Sequence, residues 1–340
     1  MQADGVFSGG GIKGLAFAGA LQAAAEAGYD EWVQLAGTSA GAITAMALAV
    51  GYDAQGLRDA LDSFDLSKIA DYGPLGPLEI PINLELSRGA THGKVLSGWI
   101  ADLLSQAPRP ARTFGDLAPG ALRVVGVDLA HTRMVVFPED VALYVDEHDR
   151  ALVPGEFPIA EAVRISAGYP YFFPPRSLRD AQTGKQGVLV DGGVASPYPV
   201  FLFDHLKPQR PTWGFRLFSG TAPEQPSYTK ISGLLWPIDM LKAIVDTSMN
   251  ALDKFEEREY HPRTISLPTG DTGTLDFGLT EEQKAALYQS GYEAAKAFFD
   301  GQPTGVNTYG AVPANLAAGG GGAAGEGGAA GGGGDAGAPA

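Results

Sequence analysis

The apolar positions of the first fifty residues alternate between two kinds of run. Gly5-Val6-Phe7-Ser8 reads as a short strand that breaks off into Gly9-Gly10-Gly11-Ile12-Lys13-Gly14. Leu15 to Ala27 is alanine-rich, with Leu15, Phe17 and Leu21 interspersed, and predicts a helix that Gly28 stops. Glu31 to Ala36 predicts a second strand, and Ala42 to Val50 a buried helix ended by Gly51. A β-α-β-α opening calls for a parallel sheet with crossover helices, and so for an α/β fold.

Further along, Ala54 to Phe64 and Lys94 to Leu104 carry helical spacing. Between them, Asp65 to Gly93 is broken by prolines and glycines and studded with Leu75, Leu78, Ile80, Ile82, Leu84 and Leu86. It reads as a long loop, either a lid over a lipid-binding cleft or an irregular surface excursion. Leu122 to Leu129 is valine-rich and suits an interior strand, with Arg133 to Phe137 as its hairpin partner. Pro158 to Ala167 predicts a helix with proline at its start, leading into the aromatic Gly168-Tyr169-Pro170-Tyr171-Phe172-Phe173-Pro174-Pro175. That segment is core packing or one wall of an acyl-chain pocket. Gly187 to Val190 is an apolar strand that delivers Asp191 ahead of Gly192 and Gly193. Thr212 to Phe218 and Arg263 to Leu267 are further strands, and Ile231 to Tyr260 predicts one or two helices broken near Pro237. Thr280 and Gln283 form a capping box for a helix that runs to Asp300. From about Ala317 glycine and alanine alternate without pattern, which predicts a disordered tail. The chain thus divides into one domain over residues 1–305 and a Gly/Ala-rich tail over 306–340.

Composition narrows the function more than the fold. The net charge of −15 argues against nucleic acid as a partner and against simple adhesion to anionic membranes. It leaves open lipid contact through an apolar patch. With 0 cysteines there are neither disulfides nor thiolate metal sites. No apolar run reaches transmembrane length, and no secretory signal precedes the first strand, so a cytoplasmic protein is expected.

Candidate chemistry gathers at three places. Gly37-Thr38-Ser39-Ala40-Gly41 fits the G-x-S-x-G nucleophile elbow, in which a serine stands on a strained strand-to-helix turn. Its neighbours two positions away must be small, and Gly37 and Gly41 meet that demand. Ser39 would stand at a helix N-terminus, where negative charge is favoured. Gly9, Gly11 and Gly14 follow a strand and also satisfy the dinucleotide fingerprint, with Asp30 and Glu31 within reach of its acidic position. The competing reading is that the glycine row turns backbone N–H groups toward an oxyanion beside Ser39, and the later elbow favours it. Asp191-Gly192-Gly193 is by itself a common turn, although strand ends are where catalytic groups gather in open α/β sheets. The 5 histidines, His92, His131, His148, His205 and His261, lie in no stretch resembling a catalytic histidine loop.

In that order and spacing, Gly9-Gly10-Gly11-Ile12-Lys13-Gly14, Gly37-Thr38-Ser39-Ala40-Gly41 and Asp191-Gly192-Gly193 resemble the patatin-like phospholipase family. They match its G-G-G-x-[KR]-G, G-x-S-x-G and D-G-[GA] motifs, and the likeness spans roughly residues 5 to 300. Val163 to Pro175 and Thr274 to Phe299 are similar as well. Ser196 departs from the family, where many members have asparagine, and this bears on the support of the Asp191 loop. The resemblance implies a three-layer α/β/α fold with a mostly parallel central sheet. It also implies a Ser–Asp dyad of Ser39 as nucleophile and Asp191 as base. The oxyanion hole would be built from Gly9, Gly10, Gly11 and Ile12, with Lys13, Gly14, Gly37, Gly41, Gly192 and Gly193 in support. The implied substrate is a phospholipid or related acyl ester, reached by transient contact with a membrane surface and cleaved without metal or cofactor. Lys13 either adds a positive field near the glycine loop or is a solvent-exposed helix lysine.

Overall fold

A computed structural model describes residues 1–74, 76–204, 209–219 and 261–301, together with the isolated positions 243 and 247. The helices expected over Ile231 to Tyr260 and the Gly/Ala tail therefore lie outside the described residues.

Six strands form a continuous path in the order β4-β3-β2-β1-β8-β9, with a seventh, β7, pairing β3. They are β1 (Gln2–Phe7), β2 (Glu31–Thr38), β3 (Leu122–Asp128), β4 (Arg133–Phe137), β7 (Leu189–Asp191), β8 (Thr212–Phe218) and β9 (Thr264–Pro268). A separate two-stranded ladder joins β5 (Tyr144–Val145) to β6 (Arg179–Asp180). Neighbours from β3 through β9 run parallel, whereas β4 and β7 lie antiparallel to β3. The sheet is therefore mixed but mostly parallel, as the βα alternation requires. Strand β1 begins earlier than its apolar residues indicate. Asp4 is buried there because Arg210 binds its carboxylate at 2.7 Å and the Gln34 N–H donates to it at 3.0 Å.

The helices are α1 (Leu15–Glu26), α2 (Ala40–Ala49), α3 (Ala54–Ser63), α4 (Ile80–Ser87), α5 (Lys94–Ser105), α6 (Ile159–Ser166) and α7 (Glu281–Asp300). The stretch read as a long loop is not one throughout. It contains α4 and short 3-10 turns at Leu66–Ile69 and Gly76–Glu79, with Leu66 and Ile69 buried. Proline at the first turn of α4 is compatible with a helix start, so it punctuates the segment without forbidding a helix.

Helices α1 and α7 pack at van der Waals contact of their backbones. A Cβ on Gly19 would fall 1.9 Å from the Tyr288 carbonyl oxygen, and one on Gly291 would fall 2.0 Å from that of Ala16. The Thr280–Gln283 capping box starts α7 as expected. At its far end Phe298 and Phe299 set their edges against Trp213 of β8, and Phe299 also meets Tyr29. Among the described residues no helix is long and apolar enough to cross a membrane.

The glycine contact can be tested by stability. Gly291→Ala should lower the urea-derived unfolding free energy by about 1–3 kcal/mol, because the added methyl overpacks a backbone contact. Gly98→Ala in α5, where nothing lies within 4 Å of the new Cβ, should instead be neutral or stabilising by up to about 1 kcal/mol.

Candidate active site

Ser39 sits between the last residue of β2 and the first of α2, with φ 56° and ψ −122°. A positive φ on a non-glycine residue costs on the order of 1–3 kcal/mol and survives only where its surroundings enforce it. Here they do. A Cβ on Gly37 would lie 2.2 Å from the Gly41 carbonyl oxygen, and one on Gly41 would lie 2.2 Å from that of Phe7. The start of α2 is thus pressed against the end of β1, and no side chain fits at either glycine. The Ser39 N–H donates to the buried Ser166 Oγ of α6 at 2.9 Å.

Asp191 reaches Ser39 by strand pairing. On one edge of β3, β2 pairs as far as Thr38 opposite Val125, while β4 covers the other edge. Where β2 leaves, β7 takes over the vacated edge, with Asp191 opposite Gly126. The ends of β2 and β7 therefore meet head-on, and the Ser39 Oγ–H donates to Asp191 Oδ2 at 2.7 Å. Gly192 must be glycine, because a Cβ there would stand 2.2 Å from the Val125 carbonyl oxygen and 3.1 Å from Thr38 Cγ2. The Gly193 N–H donates to Asp191 Oδ1 at 2.8 Å, and the Asp191 N–H donates to the Gly168 carbonyl at 3.0 Å. Ser196 supports this corner through its main chain, its carbonyl accepting the Thr38 hydroxyl at 2.9 Å. Serine in place of asparagine leaves that bond intact.

Burial is the largest influence on the Asp191 carboxyl and pushes it up to about 7. Hydrogen bonds from Gly193 and Ser39, and the positive charge of Arg164, act against burial. A carboxylate in this range is a far better proton acceptor than one near 4.

The glycine loop packs next to this pair. Gly11 has φ +60°, and a Cβ on it would lie 2.1 Å from the Thr274 carbonyl oxygen. Two of the four expected donors are already engaged: Gly9 N–H to the Pro197 carbonyl at 2.8 Å, and Ile12 N–H to that of Thr274 at 3.2 Å. The Gly10 and Gly11 N–H groups have no acceptor among the described residues. Gly14 packs against Ala40, 3.1 Å from where its Cβ would be. Lys13 is buried, not a solvent-exposed helix lysine, and its Nζ donates to Ser219 Oγ at 2.7 Å. Asp30 and Glu31 stand at the start of β2, whereas the glycine loop follows the end of β1. Since β1 and β2 are parallel, those acids lie at the opposite end of the sheet, and the dinucleotide fingerprint fails on geometry.

Ser39 lines a narrow cleft of about 80 Å³ that is partly open to solvent. Its walls are almost wholly apolar and include Leu57, Leu66, Ile69, Trp99, Phe173 and Phe277. Tyr169 and Phe173 of the aromatic segment belong to the hydrophobic core and also line the cleft, so the segment does both jobs. Sequence reasoning missed Ser166, Gly168 and Thr274, whose contacts come from packing and carry no local motif. Among the described residues no group of His, Cys, Asp and Glu could hold a metal ion. His131 is bonded to Asp128 at 2.8 Å, and Ser39 Oγ has Asp191 as its side-chain partner.

A strained serine at a strand–helix turn, bonded to a buried carboxylate and facing an apolar cleft, defines an α/β protein of the serine nucleophile-elbow class. The chain belongs to the patatin-like phospholipase family, a class of lipid acyl hydrolases, whose model matches residues 5–204. It is 37% identical to Bacillus subtilis YqhO, over 88% of this chain and 98% of that protein. It is 27% identical to the NTE family protein Rv2565 of Mycobacterium tuberculosis, over 88% of this chain but only 46% of that protein. The crystal structure of VipD from Legionella pneumophila shares the fold, with TM-score 0.54 at 20% identity, covering 88% of this chain and 66% of that one.

The raised carboxyl has a consequence for stability. Unfolded, Asp191 titrates near 3.8; folded, near 7, so the native state holds its proton more tightly. Its contribution is complete below the unfolded value and is lost as pH rises toward 7. At about 1.4 kcal/mol per pH unit the ceiling is about 4 kcal/mol. Asp191→Asn should therefore raise the urea midpoint at pH 8, with the gain shrinking toward pH 4. An equal midpoint at pH 8 would contradict a strained, buried carboxylate.

Proposed function

We propose that the protein is a serine lipid acyl hydrolase that cleaves acyl esters of phospholipids or related lipids through a Ser39–Asp191 dyad. The observation that carries this reading is the 2.7 Å bond from Ser39 Oγ to Asp191 Oδ2 at the wall of an apolar cleft. Asp191 takes the Ser39 proton as Oγ attacks the ester carbonyl. The Gly10 and Gly11 N–H groups receive the negative charge on the carbonyl oxygen, each donor worth about 3–4 kcal/mol in such sites. Collapse breaks the bond to the ester oxygen, which leaves as the alcohol by taking the proton from Asp191, and an acyl-enzyme remains on Ser39. Asp191 then takes a proton from a water that attacks the acyl carbonyl, and as the fatty acid leaves it returns that proton to Ser39 Oγ. Gly9 and Ile12 hold the glycine loop in place through their own backbone bonds, and Gly37, Gly41 and Gly192 keep the two strand ends close enough to react.

Phospholipase A, lysophospholipase and simple esterase activities all fit this site. The substrate reaches it by transient contact with a membrane surface. Leu86, 81% exposed, and Tyr171 support that contact. The segments carrying them are joined by the Ala90 N–H bond to the Tyr171 carbonyl at 2.7 Å, next to the cleft wall at Phe173.

Hydrolysis of short- and long-chain p-nitrophenyl esters tests the mechanism. Ser39→Ala and Asp191→Ala should each lose at least ~10³-fold in kcat/KM, since members of one catalytic unit fail together. Ser39→Ala should also lose labelling by a fluorophosphonate probe. His148→Gln, at a solvent-exposed position, should keep full activity. Turnover unchanged in Ser39→Ala, or lipid binding with an unlabelled serine in the native chain, would overturn the assignment.

A further inference from the structure

Helix α6 touches the site at more points than the reaction scheme uses. Ser166 accepts the Ser39 N–H, and Gly168, just past the helix end, accepts the Asp191 N–H. Beside Gly168 lies the side chain of Arg164, which is 3% exposed. Its Nη1 is 3.1 Å from where a Gly168 Cβ would stand, and its Nη2 is 2.5 Å from where a Gly93 Cβ would stand. The guanidinium is therefore wedged between two glycines that leave it room.

This cation is under-used as a hydrogen-bond donor. Nη2 donates to the Pro174 carbonyl at 3.3 Å, while Nε and Nη1 are buried without a partner among the described residues. The guanidinium also lies over the Phe173 ring, 4.9 Å from its centre. Burying a charge with idle donors is costly, and natural structures retain such groups where another charge answers them. Four charged groups act on it: Arg176, Glu161, Asp71 and Asp191. Glu161 is engaged by Arg176 at 3.3 Å, and Asp71 accepts the N–H groups of Gly93, Lys94 and Val95 at the start of α5. Asp191 is the one carboxylate of the three that is itself buried.

We propose that Arg164 is a positioning residue for the Ser39–Asp191 pair, the buried cation that favours the charged form of Asp191 and with it acceptance of the serine proton. The inference rests on the dyad reading above and adds to it the source of the carboxylate's charge. Gly168 links the two groups, since Arg164 Nη1 lies beside it and its carbonyl accepts the Asp191 N–H, and in a buried setting the charge is felt without direct contact. Burial of Asp191 favours its neutral form, and Arg164 is the charged side chain that opposes burial there. Removing that charge leaves the carboxyl protonated over a wider range of pH, so activity in the variant requires a more alkaline medium.

The test is the pH dependence of kcat/KM for a p-nitrophenyl ester with the full chain, comparing wild type, Arg164→Gln and Arg164→Lys. Wild type should lose activity on the acid side of about pH 7, the value that burial gives Asp191. Arg164→Gln should move that limb upward by about one pH unit, recovering much of its activity at high pH. Arg164→Lys, with charge restored, should return the limb toward wild type. A uniform loss at every pH, with the limb unmoved, would overturn the proposal and assign Arg164 to packing over Phe173. Should Arg164→Gln fail to fold, the double variant Arg164→Gln/Asp191→Asn decides: recovery of a folded chain supports the charge role, and failure overturns it. Activity surviving in Ser39→Ala removes the dyad and this inference with it. An active wild type, an inactive Ser39→Ala and an unmoved limb remove this inference alone.

Discussion

One edge of one strand governs this protein. β3 offers the same edge first to β2, as far as Thr38, and then to β7, from Asp191 onward. Two chain segments separated by 152 positions are thereby brought end to end, and their terminal side chains fall within hydrogen-bond distance. Each element near that junction is shaped by it. Gly192 is bare because the Val125 carbonyl and Thr38 methyl crowd it, Gly37 because the start of α2 folds back onto it, and Gly41 because α2 starts directly against β1. The left-handed backbone of Ser39 is the turn that such crowding leaves available, and Ser166 secures it from α6.

Closeness of that kind excludes water, and exclusion of water sets the electrostatics. A carboxylate in solution is too weak a base to draw a proton from a hydroxyl. Enclosed at the end of β7, Asp191 becomes a stronger one, at the expense of the native state's stability above neutral pH. In the role proposed for Asp191, function and stability pull in opposite directions, and the rest of the fold offsets the conflict. The aromatic contacts of Trp213 with Phe298 and Phe299, and the clamp of α7 on α1, supply cohesion elsewhere in the fold.

Much of this was legible in the chain. The glycine loop, the elbow, the apolar run into Asp191 and the Thr280 capping box are local patterns, and local patterns survive in a sequence. The helix and strand order around them sufficed for the α/β class. What escaped has in each case a tertiary cause. Asp4 disguised the beginning of β1, since its charge is answered by Arg210 from far along the chain. α4 hid among prolines and glycines, and the sequence left Lys13 open between two readings because its partner, Ser219, lies at the end of a strand met much later. Ser166, Gly168 and Arg164 act through packing geometry, for which no spacing rule exists.

The family's signature ends at residue 204, yet the site does not. Leu217 presses on Gly10, the Thr274 carbonyl holds the glycine loop, and Leu275 and Phe277 close one side of the cleft. The reacting groups and part of their enclosure are thus written in different stretches of the gene. The glycine loop beside Ser39 is therefore braced from outside the matched region, and the first two hundred residues do not carry the geometry of the site by themselves.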